Sequence, residues 1–339
     1  MKALAIWGFV IVLIAGLLNG SFVVPMKRMT RWKWENTWLV YSVVSLLIVP
    51  WAFALITVPH LGHFFSIASP AVVLKVLLFG FGWGIGSVLF GLGVTMLGLG
   101  LGYGIILGII ATVGSMLPFV ILHPGRIWTP QGYALFAGMF LVIAGIAFCA
   151  SAGRMRERSV SPKAGEKRPA FVVGLIICIL AGVFSAMLNF GFAFGAPMQQ
   201  QAIAAGIPPA MAANDLWAVI LTAGFVANGA YSAYLLTKNR SWHLFAPGSA
   251  SVAYWLGGSL MGVLCFGSFV VYGMGAIALG PLGAIVGWPL LMSMSLMTAN
   301  GWGYFTGEWQ GASRRSYLYS LAGVAVLIVA IVVISFGNR

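Results

Sequence analysis

Five acidic side chains, Glu35, Glu157, Glu166, Asp215 and Glu308, are all that this 339-residue chain has. Four histidines and three cysteines complete its reactive groups, and they do not cluster. His60, His63, His123 and His243 are scattered, and Cys149, Cys178 and Cys265 fall far apart inside apolar stretches. No spacing matches a metal site, a disulfide framework or a clustered acid/base pair. The residues therefore predict no enzyme, no metal and no cofactor. Two of the acids share a setting. Glu35 opens Glu-Asn-Thr-Trp-Leu-Val at 35–40, and Asp215 lies in Asn-Asp-Leu-Trp-Ala-Val at 214–219, each at the start of an apolar run. A carboxylate at a helix start is stabilised by the helix dipole; one that faces a cavity can instead take up and release a proton. Glu35 and Asp215 are the candidates for proton coupling or gating.

The remaining polar chemistry is uncharged. Asn19, Trp83, Ser87, Tyr103, Asn189, Asn228 and Tyr272 interrupt long apolar segments. Amides and hydroxyls can satisfy a polyol, and a flat aromatic face can cover the C–H face of a sugar; a few placed polar groups in an apolar pocket are the usual small-ligand design. A charged solute would demand a buried counter-charge, which the apolar segments lack. These seven residues are the candidates for binding a neutral, sugar-like solute.

The elements that hold them are set by composition. The chain is 61% hydrophobic and only 7% charged, far from the roughly 25% charged residues of soluble domains. Apolar stretches long enough to cross about 30 Å of hydrocarbon recur. They read as ten helices, at 3–25, 37–58, 71–95, 98–122, 132–152, 171–195, 213–237, 251–277, 281–305 and 316–337, with the join between the third and fourth the least distinct. The first stretch ends in Pro25-Met26 and basic residues rather than a small-residue cleavage site, so it reads as a helix and not a signal peptide. The predicted fold class is all-α, a polytopic membrane protein.

Charge orients the helices. Of eighteen Lys and Arg, all but Lys2, Lys75, Arg126 and Arg339 fall in the loops after helices 1, 3, 5, 7 and 9. That basic face is expected to be cytoplasmic, with both termini on the other side. The net charge of +13 thus marks topology and lipid headgroups, not nucleic acid. The basic run at 153–170 divides the chain into 1–152 and 171–339.

The two parts echo each other. Phe90-Gly91-Leu92-Gly93 with Leu97-Gly98 reappears as Tyr272-Gly273-Met274-Gly275 with Leu279-Gly280, and 35–40 reappears as 214–219. Five helices per part put the parts in opposite orientations, the inverted-repeat plan of many carriers, in which a central site opens to each face in turn. Glycine pairs such as Gly82/Gly86 and Gly104/Gly108 predict close helix approach.

Arg31-x-Lys33-Trp34-Glu35-x-x-Trp38 with Pro50-Trp51, Trp83-Gly84-Ile85-Gly86, Ala152-Gly153 with Glu157-Arg158, Phe184-Ser185-Ala186 and Glu308-Trp309 with Arg314-Arg315 resemble the bacterial L-rhamnose–proton symporters. The resemblance covers nearly the whole chain and is densest between 20 and 160. It implies the drug/metabolite transporter superfamily, two inverted five-helix repeats, the bacterial inner membrane, and uptake of a deoxy-sugar with protons. One segment departs from the family pattern. Ala276–Ala284 is almost wholly apolar where the family carries polar residues, and it is expected to line the cavity. The alternatives to an importer are a metabolite exporter of the same superfamily, a membrane-embedded enzyme and a non-transporting sensor or scaffold.

Overall fold

A computed structural model describes residues 2–58, 61–160, 171–246 and 252–337. His60, the linker residues 161–170 and Arg339 lie outside the described residues. Regular structure among the described residues is all helical. Helix α1 spans Lys2–Ser21; α2, Trp34–Val43, runs through a π turn at Val44–Ile48 into α3, Val49–Thr57; α4, Leu61–Ile67, is short. Then come α5, Pro70–Leu122, α6, Pro130–Val160, and α7, Phe171–Phe194. The short α8, Ala196–Ala204, leads to α9, Asn214–Lys238, α10, Val252–Ala278, α11, Gly283–Phe305, and α12, Arg314–Gly337. Helix α6 continues to Val160, so the first eight residues of the expected linker are helical.

Among the described residues, nine stretches are long and apolar enough to cross a membrane. Helix α11 has the length for a tenth, at 23 residues. The indistinct join is a sharp reversal within α5. A straight helix of 53 residues would be about 80 Å long, over twice the hydrocarbon thickness. Instead the Phe90 and Tyr103 rings meet edge to face at 5.5 Å, and a Cβ on Gly102 would lie 3.0 Å from the Gly93 carbonyl. The chain folds back between Leu97 and Gly102, giving a first arm, 70–97, and a second arm, 102–122.

Helix α1 packs on α10 and α11, while α7 packs on both arms of α5. Helix α9 packs on the first arm and on α2, α10 packs on α2, and α6 packs on α12. Glycines set several of these seams. Gly82 and Gly86 admit Met187 and the Ser185 backbone of α7, as their spacing predicts. Gly80 and Gly84 admit the backbone of α9, and Gly258 and Gly262, 178 residues later, admit Val40 and Val44.

The loops sort into two groups. On the basic face Asn36 and Trp32 donate to the carbonyls of Ser241 and Leu244, and Arg156 donates to Glu308. On the opposite face Gln201 donates to the Phe64 carbonyl, Asn214 donates to Thr57, and His123 bonds the Pro281 carbonyl. The grouping follows the odd and even loops that the ten-helix reading assigns to opposite faces.

Proline explains the densest polar packing. A proline inside a helix has no N–H for the carbonyl four residues back, and in hydrocarbon that carbonyl must find another donor. Pro118 releases the Gly114 carbonyl, and Asn189 Nδ2 of α7 donates to it at 2.8 Å. Pro289 releases the Ile285 carbonyl, and Ser115 Oγ of α5 donates to it at 2.5 Å. Pro50, at the start of α3, follows the π turn that absorbs its missing bond.

Candidate functional site

The polar candidates gather in three places. The first lies within the first arm of α5, α9 and α10, with the C-terminal end of α1 and the start of α2 joining it. Asn228 of α9 is its hub. Its Oδ1 accepts from Trp38 Nε1 at 3.0 Å and from Ser87 Oγ at 2.9 Å, and its Nδ2 donates to the Gly224 carbonyl at 3.0 Å. One amide oxygen thus ties α2, the first arm of α5 and α9 together. Trp83, one turn before Ser87, lies against Gly224 and meets the Phe269 ring edge-on at 6.2 Å. From Trp38 the cluster continues through Tyr41, rings 4.8 Å apart, to Cys265, whose sulfur is 3.2 Å from the Tyr41 hydroxyl. Ser268 donates to the Cys265 carbonyl at 2.6 Å and accepts from Asn19 Nδ2 at 3.2 Å. Asn19, Trp83, Ser87 and Asn228 are therefore one contiguous group.

This group carries no formal charge. Asn228 and Ser268 are buried, while Asn19, Trp38, Trp83 and Ser87 keep part of their surface accessible. A hydroxyl and an indole N–H that share one acceptor are held in fixed rotamers; the indole has spent its single donor and presents its ring face, while the Ser87 oxygen can still accept from a sugar hydroxyl. Trp38, Tyr41, Cys265 and Ser268 were not among the sequence candidates. Trp38 had a signal, since it stands in the repeated 35–40 motif; Ser268 and Cys265 had none.

Asn189 and Tyr272 form a second group, 83 residues apart in sequence, toward the face opposite the basic one. Tyr272 donates to Asn189 Oδ1 at 2.7 Å, and Asn189 Nδ2 reaches both Gly114 O and Ala284 O, the latter at 2.9 Å. Trp288 Nε1 adds a bond to the Ile110 carbonyl at 3.0 Å. Both Asn189 and Tyr272 are fully buried. The group welds α7 and α10 to the second arm of α5 and to α11. The apolar Ala276–Ala284 segment belongs to this weld. Ala276, Leu279 and Leu282 are buried, and α1 packs over Leu279 at Gly8. Gly280 and Pro281 of the segment are exposed, so it packs on the weld with one side and reaches the surface at its turn. Stacked rings link weld to hub: Phe269 on Trp217 at 5.5 Å, Trp217 on Phe192 at 5.1 Å, and Phe192 near Tyr272 at 5.2 Å.

Tyr103 stands apart. It lines a cleft of about 290 Å³ at the basic face, with Lys27, Asn300 and Arg156. Glu308 closes the rim of that cleft by pairing with Lys27 and, at 3.1 Å, with Arg156. Burial pushes the Glu308 carboxyl up, but its bond and charge contacts with Lys27 and Arg156 outweigh this and hold it below the usual carboxylate range.

The two matched carboxylates are not equivalent in space. Glu35 Oε1 accepts from Asn239 Nδ2 at 2.9 Å and Ser241 Oγ at 2.7 Å. These residues flank Arg240, whose φ of 51° is left-handed and costs about 1 kcal/mol in a non-glycine residue. Glu35 thus anchors a tight turn between α9 and α10. Asp215 is fully buried in the first turn of α9; no side chain among the described residues bonds its carboxylate, which lies beside the backbone N–H groups of Asp215 and Leu216. Two residues on, the indole N–H of Trp217 is also buried and has no hydrogen-bond partner among the described residues. Among the described residues no group of three or more His, Cys, Asp or Glu is placed to hold a metal ion.

Comparison with known proteins matches this architecture to one family. The family model described as L-rhamnose-proton symport protein (RhaT) matches residues 1–339. A Cronobacter sakazakii protein named L-rhamnose-proton symporter is 30% identical over 333 residues, covering 96% of this chain and 95% of that protein. An Escherichia coli protein of the same name is 29% identical over 331 residues, covering 96% of each. With the whole chain matched, this protein belongs to the L-rhamnose–proton symport protein family.

Proposed function

We propose that this protein is a carrier, not an enzyme, that imports L-rhamnose or a closely related neutral sugar together with protons. Family membership supports the class, and one observation supports the site: an uncharged amide, hydroxyl and indole cluster around Asn228 at mid-helix depth. In this reading Asn228, Ser87 and Asn19 bond sugar hydroxyls, and Trp83 and Trp38 cover its C–H faces. Asn189 and Tyr272 serve closure of one face, and Tyr103 lines the vestibule on the other. An exporter is the less favoured reading, because the relatives bear symporter names.

Asp215 is the better coupling carboxylate. No described side chain pairs with its buried oxygens; the backbone N–H groups at the start of α9 ease a charge there only in part, and a buried carboxylate without a cationic partner is costly enough that a proton is its natural ligand. Glu35 is assigned to holding the turn at Arg240. No cofactor takes part beyond the coupling proton. The site opens alternately as the weld forms and breaks while the clefts at the basic face close and open.

The parts 1–152 and 171–339 are read as inverted repeats in the inner membrane, with both termini outside. The exchange of packing partners supports this, since α1 on α10 and α11 mirrors α7 on the two arms of α5. The test of function is uptake of labelled L-rhamnose by cells lacking their own permease, with and without a protonophore. Saturable uptake that the protonophore abolishes is the expected result. No uptake by protein present in the membrane overturns the substrate assignment.

A further inference from the structure

The seam between the second arm of α5 and α6 carries a groove outside the Asn228 cluster; it borders the basic-face cleft and shares Gly104, Ile146 and Ala150 with it. Its volume is about 530 Å³. Gly104, Gly108 and Thr112 form one wall, Ile143 and Ala147 the other, and Arg154 stands at its end. Glycine sets the shape. A Cβ on Gly104 would strike Ala150, so the two helices touch there, whereas a Cβ on Gly108 would meet nothing within 4 Å. Ile143 and Ala147 are exposed, so the groove opens sideways toward lipid. The Thr112 hydroxyl is bonded back to the Gly108 carbonyl at 2.7 Å, which leaves the deep wall apolar.

The groove runs along α6. The twelve residues from Ile143 to Arg154 rise about 16 Å, and one leaflet of hydrocarbon is about 15 Å deep. The groove therefore reaches from the bilayer middle to the basic face, where Arg154 is exposed and no described side chain pairs with it. An apolar trough one leaflet deep that ends on a guanidinium at headgroup level complements a phospholipid with net negative charge.

The geometry points to a binding site for one anionic phospholipid, with an acyl chain over Gly108 and the phosphate on Arg154. The site is separate from the sugar cluster, so it stands whether or not rhamnose is the substrate. The test uses the full chain purified in mild detergent, incubated with phosphatidylglycerol or phosphatidylcholine, with bound lipid counted by native mass spectrometry. One phosphatidylglycerol should be retained with a preference of about 5-fold, the ratio that roughly 1 kcal/mol per basic residue gives. Arg154→Gln should remove the preference while lipid still binds. Gly108→Leu should remove the bound lipid, and it should fold, because its side chain enters open space. Equal retention of both lipids by the parent protein overturns the proposal, as does undiminished retention by Gly108→Leu. Displacement of the lipid by millimolar glycerol phosphate would reduce the site to a phosphate contact and would also overturn it. A dimer that Gly108→Leu converts to monomer would make the groove an interface between copies instead.

Discussion

Asn189 and Pro118 should be energetically coupled through a single carbonyl. Pro118 leaves Gly114 O without its helical donor, and Asn189 supplies one from α7. Asn189→Leu removes that bond, the bond to Ala284 O, and the first acceptor of the Tyr272 hydroxyl. Tyr272 has a second acceptor in Ala284 O, at 3.2 Å, so the net loss is nearer two bonds than three. Hydrogen bonds between membrane helices average about 0.6 kcal/mol and reach about 1.7. The variant should therefore lose roughly 1–3 kcal/mol. In a Pro118→Ala background residue 118 regains its N–H, and Gly114 O is satisfied within α5. Asn189→Leu should then cost about 0.6–1.7 kcal/mol less than in the parent. Reversible unfolding in mixed micelles of increasing SDS fraction, followed by tryptophan fluorescence, gives the four values of the cycle. Additivity within about 0.3 kcal/mol would refute the claim that the amide replaces the missing proline N–H.

Three further outcomes follow from the same geometry. Asn228→Ala leaves Trp38 and Ser87 without their shared acceptor; two neutral bonds at about 1 kcal/mol each predict a loss of roughly 2 kcal/mol in the same SDS titration, and uptake should show a raised KM because both groups lose their set rotamers. Asp215→Asn should abolish protonophore-sensitive accumulation yet keep sugar exchange down its gradient, whereas Glu35→Gln should keep accumulation; the reverse pattern would exchange the two roles. Glu308 is an acid held below its ordinary range, so its pairing contributes stability above the unfolded value near 4.5 and loses it as pH falls through the lower folded value. The carboxylate is 40% exposed, so the effect is screened to about 0.2–1 kcal/mol. The difference in melting temperature between parent and Glu308→Gln should shrink from pH 7 to pH 3.5.

The span count was legible because hydrocarbon thickness and loop charge act on every helix at once. Helix α11 is a useful exception: Ser293, Ser295, Thr298 and Asn300 dilute its apolar character, and it is tolerated because the helix packs among α1, α5, α10 and α12 rather than facing lipid alone. The reversal inside α5 was legible only as an indistinct join between 95 and 98, because the run from Gly98 to Gly104 holds no charge or proline to mark a break. The site was legible as a set of residue types and not as an assembly. Asn189 and Asn228 look alike in sequence, each a lone amide among apolar neighbours. What separates them is distant: a proline on α5 gives Asn189 a carbonyl to satisfy, while Asn228 receives an indole and a hydroxyl from two other helices. Glu35 and Asp215 differ for the same kind of reason. An Asn-Arg-Ser turn some 200 residues away bonds one carboxylate, while no side chain among the described residues bonds the other. Pro118 and Pro289, inside their helices, therefore carry a usable signal, since each is matched by a polar side chain on a neighbouring helix whose task is structural, whereas Pro50 is relieved by the π turn before it. Setting Asn189 and Ser115 aside on that ground leaves Asn19, Ser87 and Asn228 as the amides and hydroxyls with no proline-freed carbonyl to serve, and these three lie in the mid-depth cluster.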